Sequence, residues 1–194
     1  MKKEMVRFSD VVRFSTGTNL SRKQEDKLSE KKIYNIEDFE NDLRVSNQLS
    51  ETNENEYGQG KEDIVKPGDC IISMIKSKAG VVSNKSNGKY LSLNFLKCEI
   101  DEDLLYPWYF CYLFNEANSI KQQILKNQQG TVKSVTRLNI GTIGDIKFEL
   151  IDIDQQKKIG DMYKIILNQE YLMKREADLL KQYALSMMQM LDKN

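Results

Sequence analysis

From Ile159 to Leu191 the chain carries one heptad-like stripe, at alternating steps of four and three: Ile159, Tyr163, Ile166, Glu170, Met173, Ala177, Leu180, Ala184, Met187 and Leu191. Only Glu170 is out of character. Such regularity implies a long helix with an apolar seam. No proline interrupts the segment from Asp154 to Asn194, and Asp154 is placed to act as its N-cap. At 1.5 Å per residue the segment extends roughly 60 Å, far more than a small domain needs to cover its own core. A second stripe, Met162, Ile165, Leu172, Leu179, Tyr183 and Met190, runs beside the first. A helix apolar on two adjacent faces packs on its own domain and on something else.

What precedes that helix must supply the domain. A chain of 194 residues holds one full domain with a proper core plus an appended element, and 40% hydrophobic with 30% charged residues is ordinary for a soluble protein. There is no apolar run near 18 residues, and the Met-Lys-Lys-Glu start lacks the apolar core of a signal peptide, so a cytoplasmic protein without membrane contact is expected. Cys70, Cys98 and Cys111 have no paired metal spacing, and their odd number argues against a disulfide framework. They read as buried free thiols.

The sequence contains no histidine. That removes the commonest general base, the commonest metal ligand and every Ser-His or Cys-His nucleophile scheme. Gly141-Thr142-Ile143-Gly144 is too short for a phosphate loop and lacks the Gly-Lys-Ser/Thr ending. The expectation is a non-catalytic chain with no cofactor and no metal. A stand-alone modification enzyme would need an Asn-Pro-Pro-Tyr or Asp-Pro-Pro-Tyr type motif, and the only prolines are Pro67 and Pro107.

A formal net charge of zero hides strong segregation. Residues 1–36 hold nine basic and five acidic side chains, residues 37–63 two and nine, and residues 64–98 six and one. A locally basic patch in a neutral protein still steers towards phosphate.

Along the chain, residues 5–14 bunch apolar positions as an opening strand or short helix would, before a Ser-Thr-Gly-Thr-Asn loop and a basic segment at Arg22 and Lys23. Ile33 to Ile36 reads as a strand, and Asn41 to Gly60, acidic and rich in Asn, as an extended surface loop. Ile64 to Ile75 reads as strand, Pro67-Gly68 turn and strand, with further strands at Val81-Val82 and Tyr90 to Ile100. The loops Lys76 to Gly80 and Ser83 to Lys89 contain four lysines and two asparagines and form the natural anion-facing surface. Pro107 starts a helix reaching about Ala117, with a second from Ser119 to Asn127. Its aromatic cluster, Trp108-Tyr109-Phe110, reads as core rather than as a base-stacking platform. Gln128 to Ser134 is a polar loop, and Ile140 to Leu150 supplies a helical turn and a final strand. The whole is a mixed α/β (α+β) domain over residues 1–152 followed by a long helix over 153–194.

In order and spacing, these pieces resemble the specificity subunits of type I restriction-modification systems, as one target-recognition domain with its following spacer helix. The resemblance rests on Phe8-Ser9-Asp10-Val11-Val12 followed by Gly17, Val65-Lys66-Pro67-Gly68-Asp69-Cys70-Ile71-Ile72-Ser73, and Leu105-Tyr106-Pro107-Trp108-Tyr109-Phe110. It continues through Gly130-Thr131, Leu138 to Phe148, and Gln156-Lys157-Lys158-Ile159. Ile151 departs from the family, which often has proline there. The resemblance implies a DNA reader that works with separate methyltransferase and motor-nuclease subunits. The usual subunit has two such domains and two helices packed as a spacing ruler, whereas this chain carries one of each. The implied form is a half-length subunit that pairs with a second half. As a homodimer, its helices form an antiparallel coiled coil, with Ile159, Tyr163, Ile166, Met173, Ala177, Leu180, Ala184, Met187 and Leu191 at the seam. Since groove positions recur about every 34 to 36 Å, such an arm separates half-sites by one turn or slightly more.

For phosphate contacts in double-stranded DNA the sequence offers Lys76, Lys78, Lys85, Lys89 and Lys133, with Arg22 and Lys23 outside them. For base edges it offers Asn84, Asn87, Gln128, Gln129 and Arg137, because Asn or Gln pairs bidentately with adenine and Arg with guanine. The alternative is a coiled-coil regulatory protein that binds restriction-modification subunits without reading DNA, a reading favoured by the near-zero charge and the acidic 37–63 stretch.

Overall fold

The computed structural model describes residues 4–18, 33–45, 64–129 and 139–192. The opening segment resolves into β1 (Glu4–Arg7), a single helical turn α1 (Phe8–Val11) and β2 (Val12–Thr16). Then come β3 (Ile33–Tyr34), α2 (Ile36–Val45), β4 (Cys70–Ser73), β5 (Lys78–Val81), β6 (Tyr90–Leu91) and β7 (Phe95–Ile100). The C-terminal half is helical, with α3 (Pro107–Glu116), α4 (Asn118–Gln129), α5 (Ile140–Gly144), β8 (Lys147–Leu150) and α6 (Ile153–Asp192).

A four-stranded antiparallel sheet in the order β2-β7-β4-β5 forms the centre. Side chains alternate across it, so β4 sends Cys70 and Ile72 to one face and Ile71 to the other. The first face packs on α3 through Leu96, Cys98, Trp108 and Phe110. The second packs on α2, where Phe39 meets Ile71 and Phe95. Two further strand pairs, β1-β8 antiparallel and β3-β6 parallel, close the ends. Phe8 of α1 sits against Phe110 and Phe148 and ties the first pair to the main core.

Several elements differ from the sequence reading, each for a local reason. Lys78 to Gly80 is not loop but part of strand β5, because its small residues Ala79 and Gly80 lie flat between α3 and Phe39 of α2. Asn41 belongs to α2, whose start is fixed by reciprocal bonds between Asn35 and Asp38: the Asp38 amide donates to Asn35 Oδ1 and the Asn35 amide to Asp38 Oδ2. The acidic stretch beyond Val45 lies outside the described residues. Helix α6 begins at Ile153, so the capping oxygen is Asp152 Oδ1, which accepts from the Asp154 amide at 3.0 Å. The three cysteines are free and buried, and Cys70 Sγ stands 3.9 Å from Cys111 Sγ.

Gly17 marks a close approach: a Cβ there would collide with the Leu91 and Ser92 carbonyls, and its neighbour Thr18 donates to Leu91 O at 2.9 Å. Gly160 does the same for the long helix, since a Cβ would lie 2.8 Å from the Tyr106 ring and the Tyr109 amide. One turn earlier Gln156, fully buried, accepts from the Tyr106 amide and donates to the Leu104 and Ile151 carbonyls. One turn later Tyr163 is buried and receives the Asn115 amide at 3.1 Å. Gln156, Gly160 and Tyr163 therefore fasten the first third of α6 to α3.

Gly160→Ala should destabilise the fold by about 1–3 kcal/mol through overpacking. Gln156→Leu should cost a similar 1–3 kcal/mol or so by orphaning one amide and two carbonyls. Thermal unfolding followed by circular dichroism checks both: at roughly 2–4 °C per kcal/mol, each variant should melt several degrees early.

Candidate nucleic-acid interface

The lysine-bearing segments do not form the one continuous surface expected from the sequence. Lys76 and Lys78 stand at the β4–β5 turn, whereas Lys85, Asn87 and Lys89 lie past the other end of β5. The strand and its flanks separate the two groups by roughly 16 Å at 3.3 Å per residue. Helix α2 lies between them and holds both. Its Glu40 takes Lys76 Nζ at 2.7 Å, and its Asp38 takes Lys89 Nζ at 2.6 Å. Lys78, Lys85 and Asn87 are exposed, and Asn84 is half-buried.

Beneath the second group, Asp42 is only 2% exposed. Its carboxylate accepts from Tyr34 Oη at 2.8 Å, Ser86 Oγ at 3.0 Å and Ser83 Oγ. Burial pushes the Asp42 carboxyl above its ordinary value, against the opposing pull of the Ser83, Tyr34 and Ser86 hydroxyls. The same burial, with Asp42 alongside, raises the Tyr34 phenol, which stays a donor. The Ser83–Lys89 loop, carrying a 3₁₀ turn at Asn84–Ser86, is thus fixed from below by the Ser83 and Ser86 hydroxyl bonds to Asp42 and from the side by the Lys89 ion pair. Sequence reading missed Tyr34, Asp38, Glu40, Asp42, Ser83 and Ser86. The available signal was the acidic side chains at positions 38 and 42, one helical turn apart beside Phe39 and Leu43.

Lys97 pairs with Asp69 at 2.7 Å behind the Pro67-Gly68 turn. Gln128 and Gln129 form the C-terminal end of α4, but their side chains, with Arg22, Lys23, Lys133 and Arg137, lie outside the described residues. The expected neighbourhood of these six with the lysine groups stays an expectation.

On the arm, the expected seam divides. Tyr163 is 6% exposed and Ile159 packs against the main core, so the domain itself uses both. Ile166, Met173, Leu180, Met187 and Leu191 are 43–74% exposed, and every residue from Leu172 to Asp192 is exposed. Glu170 bonds Lys174 one turn on, at 2.6 Å, and this cation, joined by the more distant Lys78, holds its carboxyl below the usual value. Arg44 of α2 lies 5.7 Å over the Tyr171 ring and gives the arm a second grip. No helix among the described residues is long and apolar enough to cross a membrane.

No curated protein sequence matches the chain. Solved structures do. The HsdS subunit from Thermoanaerobacter tengcongensis is similar at 13% identity and TM-score 0.52, over 90% of this chain and 39% of its own. The type I restriction-modification S subunit from M. genitalium is similar at 15% identity and TM-score 0.51, over 94% and 43%. A third chain, from a structure of complex assembly and conformational transition in the type I R-M system, gives 12% identity and TM-score 0.60, over 93% and 42%. At these identities the likeness shows the fold, a mixed α/β domain followed by a long helix, and the chain spans about two fifths of the length of each. The family described as the type I restriction modification DNA specificity domain matches residues 1–182, and the chain belongs to it.

Proposed function

We propose that the chain reads DNA for a type I restriction-modification methyltransferase, one target half per chain, with residues 1–152 as reader and 153–194 as spacer. It carries no catalytic centre of its own; methylation and cleavage belong to other subunits. The observation that carries this reading is the family match over residues 1–182. It is supported by a surface on which one buried carboxylate and two ion pairs hold lysine-bearing segments in place.

The two lysine groups divide the work. Lys76 and Lys89, neutralised by Glu40 and Asp38, shape the surface, while exposed Lys78 and Lys85 hold phosphates. Asn84 and Asn87 stand on the anchored loop, where a fixed backbone lets an amide meet adenine bidentately. Gln128, Gln129 and Arg137 complete the base readers, and Lys133, Arg22 and Lys23 the phosphate contacts. The alternative of a regulatory protein that ignores DNA loses support, because Asp38, Glu40 and Asp42 turn towards the chain's own cations and hydroxyls rather than towards a partner.

The chain acts as a homodimer joined through α6, which gives the exposed apolar stripe its cover and places two readers on a two-fold-symmetric target. It docks a methyltransferase subunit and, through it, a motor-nuclease subunit.

Lys78→Ala with Lys85→Ala should weaken binding to all DNA sequences alike and reduce the slope of log affinity against log salt by about 2. A salt series with unchanged slope removes these two lysines from the interface. Light scattering should give twice the 22.6 kDa chain mass, and Leu180→Glu with Met187→Glu should give the single mass. Methylation mapping in cells that express the chain with candidate methyltransferase subunits should return a symmetric, interrupted motif, and an asymmetric one requires a second, different half.

A further inference from the structure

The stripe on α6 has the same spacing read from either end, from Ile159 to Leu191, so its midpoint is residue 175. An antiparallel pair related by a two-fold axis at that point sets Ile159 beside the partner's Leu191 and Tyr163 beside the partner's Met187. It sets Ile166 beside the partner's Ala184 and Met173 beside the partner's Ala177. Each alanine then faces a large side chain, which lets the backbones approach without a void. Sliding the pair by one heptad leaves the outer positions of the stripe unmatched.

The structure contains the receiving surface. Between α3 and the first half of α6 runs a groove of about 640 Å³, lined by Tyr112, Glu116, Ile159, Met162, Tyr163 and Ile166. Its α6 wall is the N-terminal half of the stripe, so the groove continues directly into the exposed half, and a second helix with matching spacing covers both. Glu116 and Glu170 rim the groove, and in this register Glu170 stands beside the partner's Leu180, with the partner's Lys181 one residue away.

We propose that this groove is the seat of the distal end of α6 from a second copy of the chain, in the one register centred on residue 175. Each domain then grips its own helix through Gln156 and Gly160 and the partner's through the groove. The two Gln156 anchors stand 38 residues apart along the pair, about 57 Å. The inference rests on the homodimer reading above and adds the register and the seat.

Engineered disulfides in the full chain test it, since Ile166 and Ala184 are exposed and the native thiols are buried. Ile166→Cys with Ala184→Cys should give a covalent dimer under mild oxidation, at least tenfold faster than Ile166→Cys with Ala177→Cys or Ile166→Cys with Leu191→Cys. The latter pairs are misaligned by seven residues, about 10 Å along the axis, beyond disulfide reach. Ile166→Cys alone should stay uncrosslinked. As a second measurement, Ala184→Ile should weaken the dimer tenfold or more, and adding Ile166→Ala should restore most of that loss. Preferred crosslinking of either misaligned pair, or a dimer by light scattering that none of the pairs traps, overturns the register and the seat while leaving the homodimer intact. A monomer overturns both.

Discussion

The contact on which the architecture turns is the close crossing of α3 and α6 at Gly160. No side chain separates the helices there: a single Cβ would sit 2.8 Å from the Tyr109 amide. Close approach alone would bury unpaired backbone groups just before α3 and α6, and Gln156 removes that cost by serving one amide and two carbonyls at once. From the same crossing Tyr163 reaches Asn115, whose amide bonds both the N–H and the C=O of Ala79 in β5. An outer strand of the sheet, helix α3 and the arm are thereby one hydrogen-bonded unit. The direction in which α6 leaves the domain follows from it.

Helix α2 plays the corresponding part on the opposite face of the sheet. Phe39 and Leu43 cover Gly80, where any side chain would push them away. Its acidic residues then point to both ends of the strand, Asp38 and Asp42 to one loop and Glu40 to the other. The segment that gives the chain its acidic middle is therefore, in its first turns, the internal counter-charge of its basic loops. Asp42 pays a desolvation cost, offset by three hydroxyl donors. What this secures is a loop of fixed shape under Asn84 and Asn87, as the proposed reading of base edges needs.

The periodic parts of this architecture could be read from the sequence. Pro107 and the aromatic run announced α3, and the stripe after Gln156 announced α6, because a 3.6-residue period survives any tertiary context. Strand β5 could be read only at its end, Val81, since Lys78-Ala79-Gly80 has too little apolar bulk to alternate visibly and is drawn into the strand by its pairing with β4. The candidate surface was half legible. Lysines and amides were visible, but which lysines are neutralised depends on where α2 falls, and local spacing carries no record of that. Tyr163 shows the same limit on the arm: it fits the stripe, yet Asn115 and Tyr112 claim it for the domain.

On the proposed pairing the arm serves two interfaces in sequence. Its first third is nucleated by the domain, which removes the entropic cost of starting a helix in water. From Leu172 to Asp192 every residue is exposed, and a 21-residue helix exposing Met173, Leu180, Met187 and Leu191 gains little from its own contacts. Helical order in that stretch and burial of its stripe are then parts of one equilibrium. In the proposed homodimer, association orders the arm, and an ordered arm fixes the distance between domains. A spacing device built this way is rigid only when assembled, because the apolar surface that stiffens it is the surface that joins it to its partner.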